Sequence, residues 1–168
     1  TLVIRTAPGT GENSVDLQDA SPTGYYTYKY FDPTADGNNN SGLNLIMLRY
    51  GDVLLMNAEA LNEAGRLDAA AWGRTIGALR ARAGFTDANA LNFPGGTQAQ
   101  LRDIIRRERR SELAMEGLRI FDLRRWRTAQ TALNGIVRGA RFGPLSVNNG
   151  YLVVDKNPRV FDPAKHYL

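Results

Sequence analysis

The chain has 168 residues, 43% of them hydrophobic and 23% charged, which is enough for one modest core and excludes disorder throughout. It contains no cysteine, which excludes disulfides and thiolate metal sites, and no run of about 18 apolar residues of the kind that crosses a bilayer as a helix. The formal net charge of +4 comes from arginine, and its excess is carried by Arg102, Arg106 and Arg110 on one face of a helical segment. Acidic residues offset that stripe locally, and no RNP, zinc-finger or helix-turn-helix signature accompanies it, so nucleic acid is not an expected partner.

At the start, TLVIRT (residues 1–6) reads as a strand already under way, and the sequence holds no start Met, signal peptide or lipidation cysteine; we expect a part of something longer. GYYTYKYF, from Gly24 to Phe31, predicts a strand with Tyr26, Tyr28 and Tyr30 on one face. Its rings suit either ordinary sheet packing or the flat face of a sugar. The loop from Asp32 to Gly42 places Asp32, Thr34, Asp36, Gly37, Asn38 and Asn40 at positions 1, 3, 5, 6, 7 and 9 of an EF-hand loop. Position 12 is Leu43 where a bidentate Glu is required, so bound calcium is not expected.

From Tyr50 the hydrophobic period lengthens to that of a helix. Tyr50, Leu54, Ala58 and Leu61 form a stripe, and Gly65 is placed to end the helix as its C′ residue. Asp68 caps a second helix with Ala69, Trp72, Ile76, Leu79 and Ala83 inward, ending at Gly84. The small residues of Ala58 to Ala71 have the pattern of a tetratricopeptide hairpin, a unit that needs neighbouring helices to bury its faces. Thr97 and Gln100 form a capping box for a third, long helix, which Gly117 interrupts before a short continuation carrying Phe121, Leu123 and Trp126. Beyond Arg127 the chain turns irregular, with Asn149-Gly150 predicting a hairpin between Leu145 to Val147 and Tyr151 to Val154.

The long helix holds the sharpest chemical signal. At roughly 100° per residue, Leu101, Ile104, Ile105, Glu108, Glu112, Met115, Glu116 and Arg119 share an arc of about 120°. Carboxylates beside Leu and Ile must be paired, hydrogen-bonded, metal-bound or protonated, because a lone buried carboxylate costs several kcal/mol. A glycosidase pair needs carboxylates facing each other across a cleft, whereas these point the same way. A metal site lacks ligands, since the one histidine, His166, is distant and no Glu-x-x-His occurs. The favoured reading is a structural ionic network of Glu108, Glu112, Glu116 and Arg119, neutralised by Arg119, Arg109 or an arginine from another helix.

In order along the chain, LRYGDVLLMNAEALNEAG (Leu48 to Gly65), ALRARAGF (Ala78 to Phe85), RRERRSELAMEGLRIFDLRRW (Arg106 to Trp126) and FDPAKHYL (Phe161 to Leu168) resemble the C-terminal region of the RagB/SusD nutrient-uptake family. The most specific part is Glu112, Leu113, Glu116, Gly117, Arg119, Asp122 and Trp126. The resemblance implies a mainly α fold of tetratricopeptide-like helical hairpins with loop-rich segments and a few short β-strands. Within it, 1–47 would supply strands and loops, 48–130 the helical scaffold and 131–168 an irregular tail, the whole being the C-terminal portion of one longer domain.

The resemblance further implies a non-catalytic protein that needs no cofactor and is held by an N-terminal lipid anchor on the outer face of the outer membrane. There it would capture oligosaccharides or other large nutrients for a SusC-like TonB-dependent β-barrel transporter. No sugar-contacting residue carries over by position, and the carboxylate motif belongs to the scaffold. The alternative from another class is a tetratricopeptide-like module that binds a protein partner in a groove between hairpins.

Overall fold

The structure, a computed structural model, describes residues 23, 25, 27–32, 34, 41–141, 148–153 and 157–166. It is mainly α, and the chain divides into two compact units, Leu43–Arg119 and a second formed by Thr1–Gly42 with Ile120–Leu168. Among the described residues no helix is long and apolar enough to cross a membrane.

The first unit is built on three helical segments. Helix α1 (Tyr50–Glu63) ends as its sequence requires: Gly65 adopts φ 67°, its N–H donates to the Asn62 carbonyl, and the Arg66 N–H donates to that of Leu61. This is a Schellman closure, for which a residue without a Cβ is favoured. The second segment runs through α2 (Ala69–Trp72), a π-helical stretch (Gly73–Gly77) and α3 (Ala78–Arg82). Asp68 caps it by accepting from the Ala71 N–H, and Gly84 at φ 92° closes it. A short α4 (Ala88–Leu91) follows, and then α5 (Gln98–Glu112) begins with the Thr97 and Gln100 capping box in place.

These segments enclose a core of Leu54, Leu55 and Ala58 from α1, Trp72, Ile76 and Leu79 from the second segment, and Leu101, Ile105 and Leu113 from α5 and its end. Trp72 is fully buried and its indole N–H donates to the Leu91 carbonyl at 2.9 Å, which satisfies the one polar atom it takes inside. Three sequence expectations shift here. Ala69 and Ala83 are exposed, and Ala71, Thr75 and Gly77 are buried beside Trp72, Ile76 and Leu79; the π turn adds a residue ahead of Ala83 and so changes the register at that end of the segment. Tyr50 is exposed, and the inward face of α1 instead takes Gly51, Asp52 and Asn62.

Helix α5 stops at Glu112, five residues before Gly117. The helical backbone breaks beyond it, with Met115 at φ 65° and Gly117 at φ 77°. Met115 therefore falls off the helical arc and is exposed, and Arg119 opens the next helix, α6 (Arg119–Arg125).

In the second unit, α6 buries Asp122 and Leu123, and Leu123 packs with Phe161, Leu133 and Ala129 of α7 (Ala129–Leu133). Gly135 and Arg159 form an isolated antiparallel bridge. Strand β1 (Arg138–Arg141) pairs antiparallel with β2 (Tyr151–Val153), which a 3₁₀ turn at Asn148–Gly150 precedes, and α8 (Pro163–His166) begins beside an Asp162 cap. The partner of β2 is thus β1; Leu145 to Val147, the partner expected from the sequence, lie outside the described residues, as do residues 1–6 and Val154.

The strand expected from Gly24 to Phe31 is also corrected. Its described part closes as a turn, with the Phe31 N–H donating to the Tyr28 carbonyl and Tyr30 at φ 62°. Gly24 and Tyr26 lie outside the described residues. A residue in the left-handed region cannot continue a pleated ladder, so the aromatic alternation does not produce two sheet faces.

Candidate functional site

The carboxylates of α5 meet arginines from the other two helical segments. Arg49, just before α1, sends Nε to both oxygens of Glu116 at 3.1 and 2.9 Å and Nη1 to Glu112 Oε1 at 2.6 Å. Its Nη2 reaches Glu116 Oε1 at 2.8 Å and the Glu112 carbonyl at 2.7 Å, and so serves one of the orphan acceptors at the end of α5. Arg82 from α3 donates to both Glu112 oxygens, at 2.6 and 2.8 Å. Arg80 pairs with Glu108, donates to the Ala90 carbonyl and lies 5.5 Å from the centre of the Trp72 ring. The Glu116 bonds hold the Arg49 guanidinium protonated well above its ordinary range.

Two further ties join α1 to α5. Arg109 donates to Asp52, with both side chains almost fully buried. Arg102 makes a two-pronged contact with Glu63 and holds that carboxyl below its usual range. Asn62 and Gln98 each donate to the other's backbone carbonyl. The glutamates thus draw on arginines of other helical segments, and Arg109 serves Asp52; Arg119 lies beyond the break in α5, half-buried at the start of α6. Sequence reasoning did not single out Arg49, Arg80, Arg82 or Asp52. The one available signal was the R-Y-G-D run at Arg49 to Asp52, charged residues set where a buried stripe begins.

Beside this network lies a cleft of about 350 Å³ lined by Arg49, Tyr50, Leu54, Leu79 and Arg82 among others. Glu108, Glu112 and Glu116 are not in its wall. Such an arrangement ties helices together, and offers no pair of opposed carboxylates to a substrate. No cluster of three or more metal-ligating side chains occurs among the described residues.

The Asp32 loop closes on itself. Asp32 accepts from the Thr34 hydroxyl at 2.6 Å and N–H at 2.9 Å, and from the Ser41 hydroxyl at 2.7 Å and Gly42 N–H at 3.3 Å. These bonds, led by the Thr34 hydroxyl, lower its pKa to about 2. Asp36, Gly37, Asn38 and Asn40 lie outside the described residues. Just before it, Tyr25, Tyr28 and Phe31 are exposed, and the rings of Tyr28 and Phe31 stack with centroids 5.3 Å apart.

Comparison with known proteins places this geometry. The SusD family model matches residues 6–160. One SusD-like protein of Formosa agariphila is 34% identical over 138 residues, covering 79% of this chain and 26% of its own; another is 30% identical over 146, covering 83% and 26%. A SusD-like carbohydrate binding protein from Bacteroides fragilis superposes with TM-score 0.56 at 34% identity, over 71% of this chain and 25% of that one. A second SusD-like protein from the same organism gives TM-score 0.63 at 30% identity, over 86% and 27%. The chain spans about a quarter of the length of each of these relatives. With a family model matched along most of its length and a shared mainly helical fold, the chain belongs to the SusD family.

Proposed function

We propose that the chain is the C-terminal portion of a non-catalytic surface protein that captures nutrients, chiefly oligosaccharides, and delivers them to a TonB-dependent outer-membrane transporter. The observation that carries this reading is family membership together with 34% identity to a SusD-like carbohydrate binding protein. In this reading a lipid anchor elsewhere in the full polypeptide holds it on the extracellular face of the outer membrane, against a SusC-like barrel.

The ionic network of Glu108, Glu112, Glu116 and Arg119 then serves the scaffold. Support comes from the arginines that Glu108, Glu112 and Glu116 meet, which tie α3 and the start of α1 to α5. Mass spectrometry of the native full-length protein purified from outer membranes tests the assembly: a lipid-modified chain with a large β-barrel partner is expected, and a soluble protein without one would sink the transporter reading. Glu112→Gln tests the scaffold role, with lowered thermal stability expected; loss of a hydrolase activity at unchanged stability would instead make the site catalytic.

A second reading, a tetratricopeptide-like module for a protein partner, draws on the exposed apolar residues Tyr50, Val53 and Met56 along α1. It predicts that Met56→Glu in the full-length protein abolishes co-purification of a protein partner and leaves glycan binding untouched.

A further inference from the structure

Five arginines of the first unit are engaged by carboxylates: Arg49 and Arg82 by Glu112, Arg80 by Glu108, Arg102 by Glu63, Arg109 by Asp52. Arg138 and Arg141 on β1 are different. Among the described residues neither reaches a carboxylate, and both stand over one ring, at 6.0 and 5.8 Å from the centroid of Tyr151.

Their placement on a common side is unexpected from sequence, because residues three apart on a regular strand face opposite sides. Arg138 aligns with Val153 and Arg141 with Tyr151, so three steps along β1 match two along β2 and one extra residue is inserted. The bulge turns both arginines outward while Gly139 and Ala140 are buried between them.

The bulge is held from beneath. The Ala140 N–H donates to the Thr23 carbonyl at 2.7 Å, and a Cβ on Gly139 would come within 2.4 Å of that same oxygen. Only glycine lets the two backbones approach so closely. Arg141 Nε donates to the Asn149 carbonyl at 3.0 Å, which fixes the plane of its fork and leaves its terminal nitrogens for another acceptor. Two like charges beside one ring repel, and the electron-rich ring offsets only part of that repulsion. An oxyanion accepting from these guanidinium groups would offset it.

We propose that Arg138, Arg141 and Tyr151 form a subsite for the anionic group of an acidic saccharide, either a ring carboxylate or a sulfate ester. This rests on the saccharide-capture reading and names its substrate class. It also gives part of the chain's basic charge a ligand-facing role, apart from Arg102 and Arg109 of α5, which are engaged in helix ties.

The test is calorimetric titration of the full-length protein with three probes: an oligogalacturonate, a sulfated galactan oligosaccharide, and an uncharged galactan oligosaccharide. At least one anionic probe is expected to bind, more weakly at high salt. Combined Arg138→Gln and Arg141→Gln substitution is expected to weaken it at least tenfold with melting temperature unchanged. Arg141→Lys, which keeps the charge and removes the fork, should lose a smaller part and provides the readout if the double variant fails to fold. Which anionic probe responds tells carboxylate from sulfate. Anionic binding unaffected by these variants, or binding of the neutral probe alone, overturns the subsite and leaves saccharide capture standing. Failure of the wild type to bind any member of a broad saccharide panel overturns the capture reading itself, and the subsite with it.

Discussion

Arg49 grips Glu116 across 67 residues of sequence, with Nε bonded to both carboxylate oxygens and Nη2 to one of them. The same guanidinium takes the side chain and the carbonyl of Glu112, so one residue ahead of α1 fastens both the end of α5 and the turn beyond it. Removing it leaves Glu116, whose side chain is 6% exposed, without that partner. Arg49→Ala is expected to lower unfolding free energy by about 3 kcal/mol, chiefly through the bonds that Glu112 and Glu116 lose. Arg49→Lys, with charge but no fork, should fall between. Denaturant melts decide this, and an Arg49→Ala variant within about 0.5 kcal/mol of wild type would refute the lock, that being the ordinary scatter of neutral surface changes.

Gly51 makes room for that guanidinium. A Cβ there would lie 2.4 Å from Arg49 Nη1 and 3.1 Å from Glu112 Oε1. Gly-to-Ala in a helix ordinarily gains about 1 kcal/mol. At Gly51 the gain should be reversed to a loss of about 1 to 2 kcal/mol, within the range for overpacking. Gly73 has helical backbone angles and nothing within 4 Å of an added Cβ, so Gly73→Ala should stabilise. Thermal melts of the two variants should move in opposite directions.

The buried Arg109 and Asp52 pair lends itself to a double-mutant cycle. Each single alanine substitution removes a buried charge's partner in this pair and should cost about 3 kcal/mol. The double variant should cost less than the sum, with a coupling of about 2 to 3 kcal/mol. Combined Asp52→Leu and Arg109→Met should recover most of the stability, because apolar side chains replace a buried pair without stranding either charge. Additive single effects would show that the two groups are not coupled.

Acid should open the Asp32 loop late. The folded pKa of about 2 lies below the ordinary 3.8, so the contribution of this carboxylate is complete above about pH 4 and is lost as pH falls through the folded value. Carboxyl-carbon NMR should place the Asp32 midpoint near 2, and Thr34→Ala should raise it, since the Thr34 hydroxyl is the largest cause of the shift. A midpoint at 3.8 in both proteins would mean that the loop is open in solution.

Local chemistry was legible from sequence wherever the determinant is local. The Asp68 cap, the Thr97 and Gln100 capping box and the Gly65 and Gly84 helix ends appear where their residues stand, since each satisfies backbone groups within one turn. Expectations failed where register or a distant strand mattered. Trp72, Ile76 and Leu79 kept the inward face, but Ala83, beyond the π turn at Gly73–Gly77, left it, and Arg138–Arg141 took the role of partner to β2. For the tyrosine segment, a positive φ at Tyr30 overrode a regular alternation.

The sequence by itself determined that the carboxylates of the long helix needed partners, because burial of an unpaired charge is prohibitive whatever surrounds it. Which arginines answer them was decided by tertiary structure alone: Arg49, Arg80 and Arg82 lie some 30 to 70 residues away, and their approach depends on how α1 and α3 pack on α5. The paired outward turn of Arg138 and Arg141 was likewise invisible in sequence. A bulge arises only when a second strand and the Thr23 backbone fix the register, and neither has any signature in the four residues of β1.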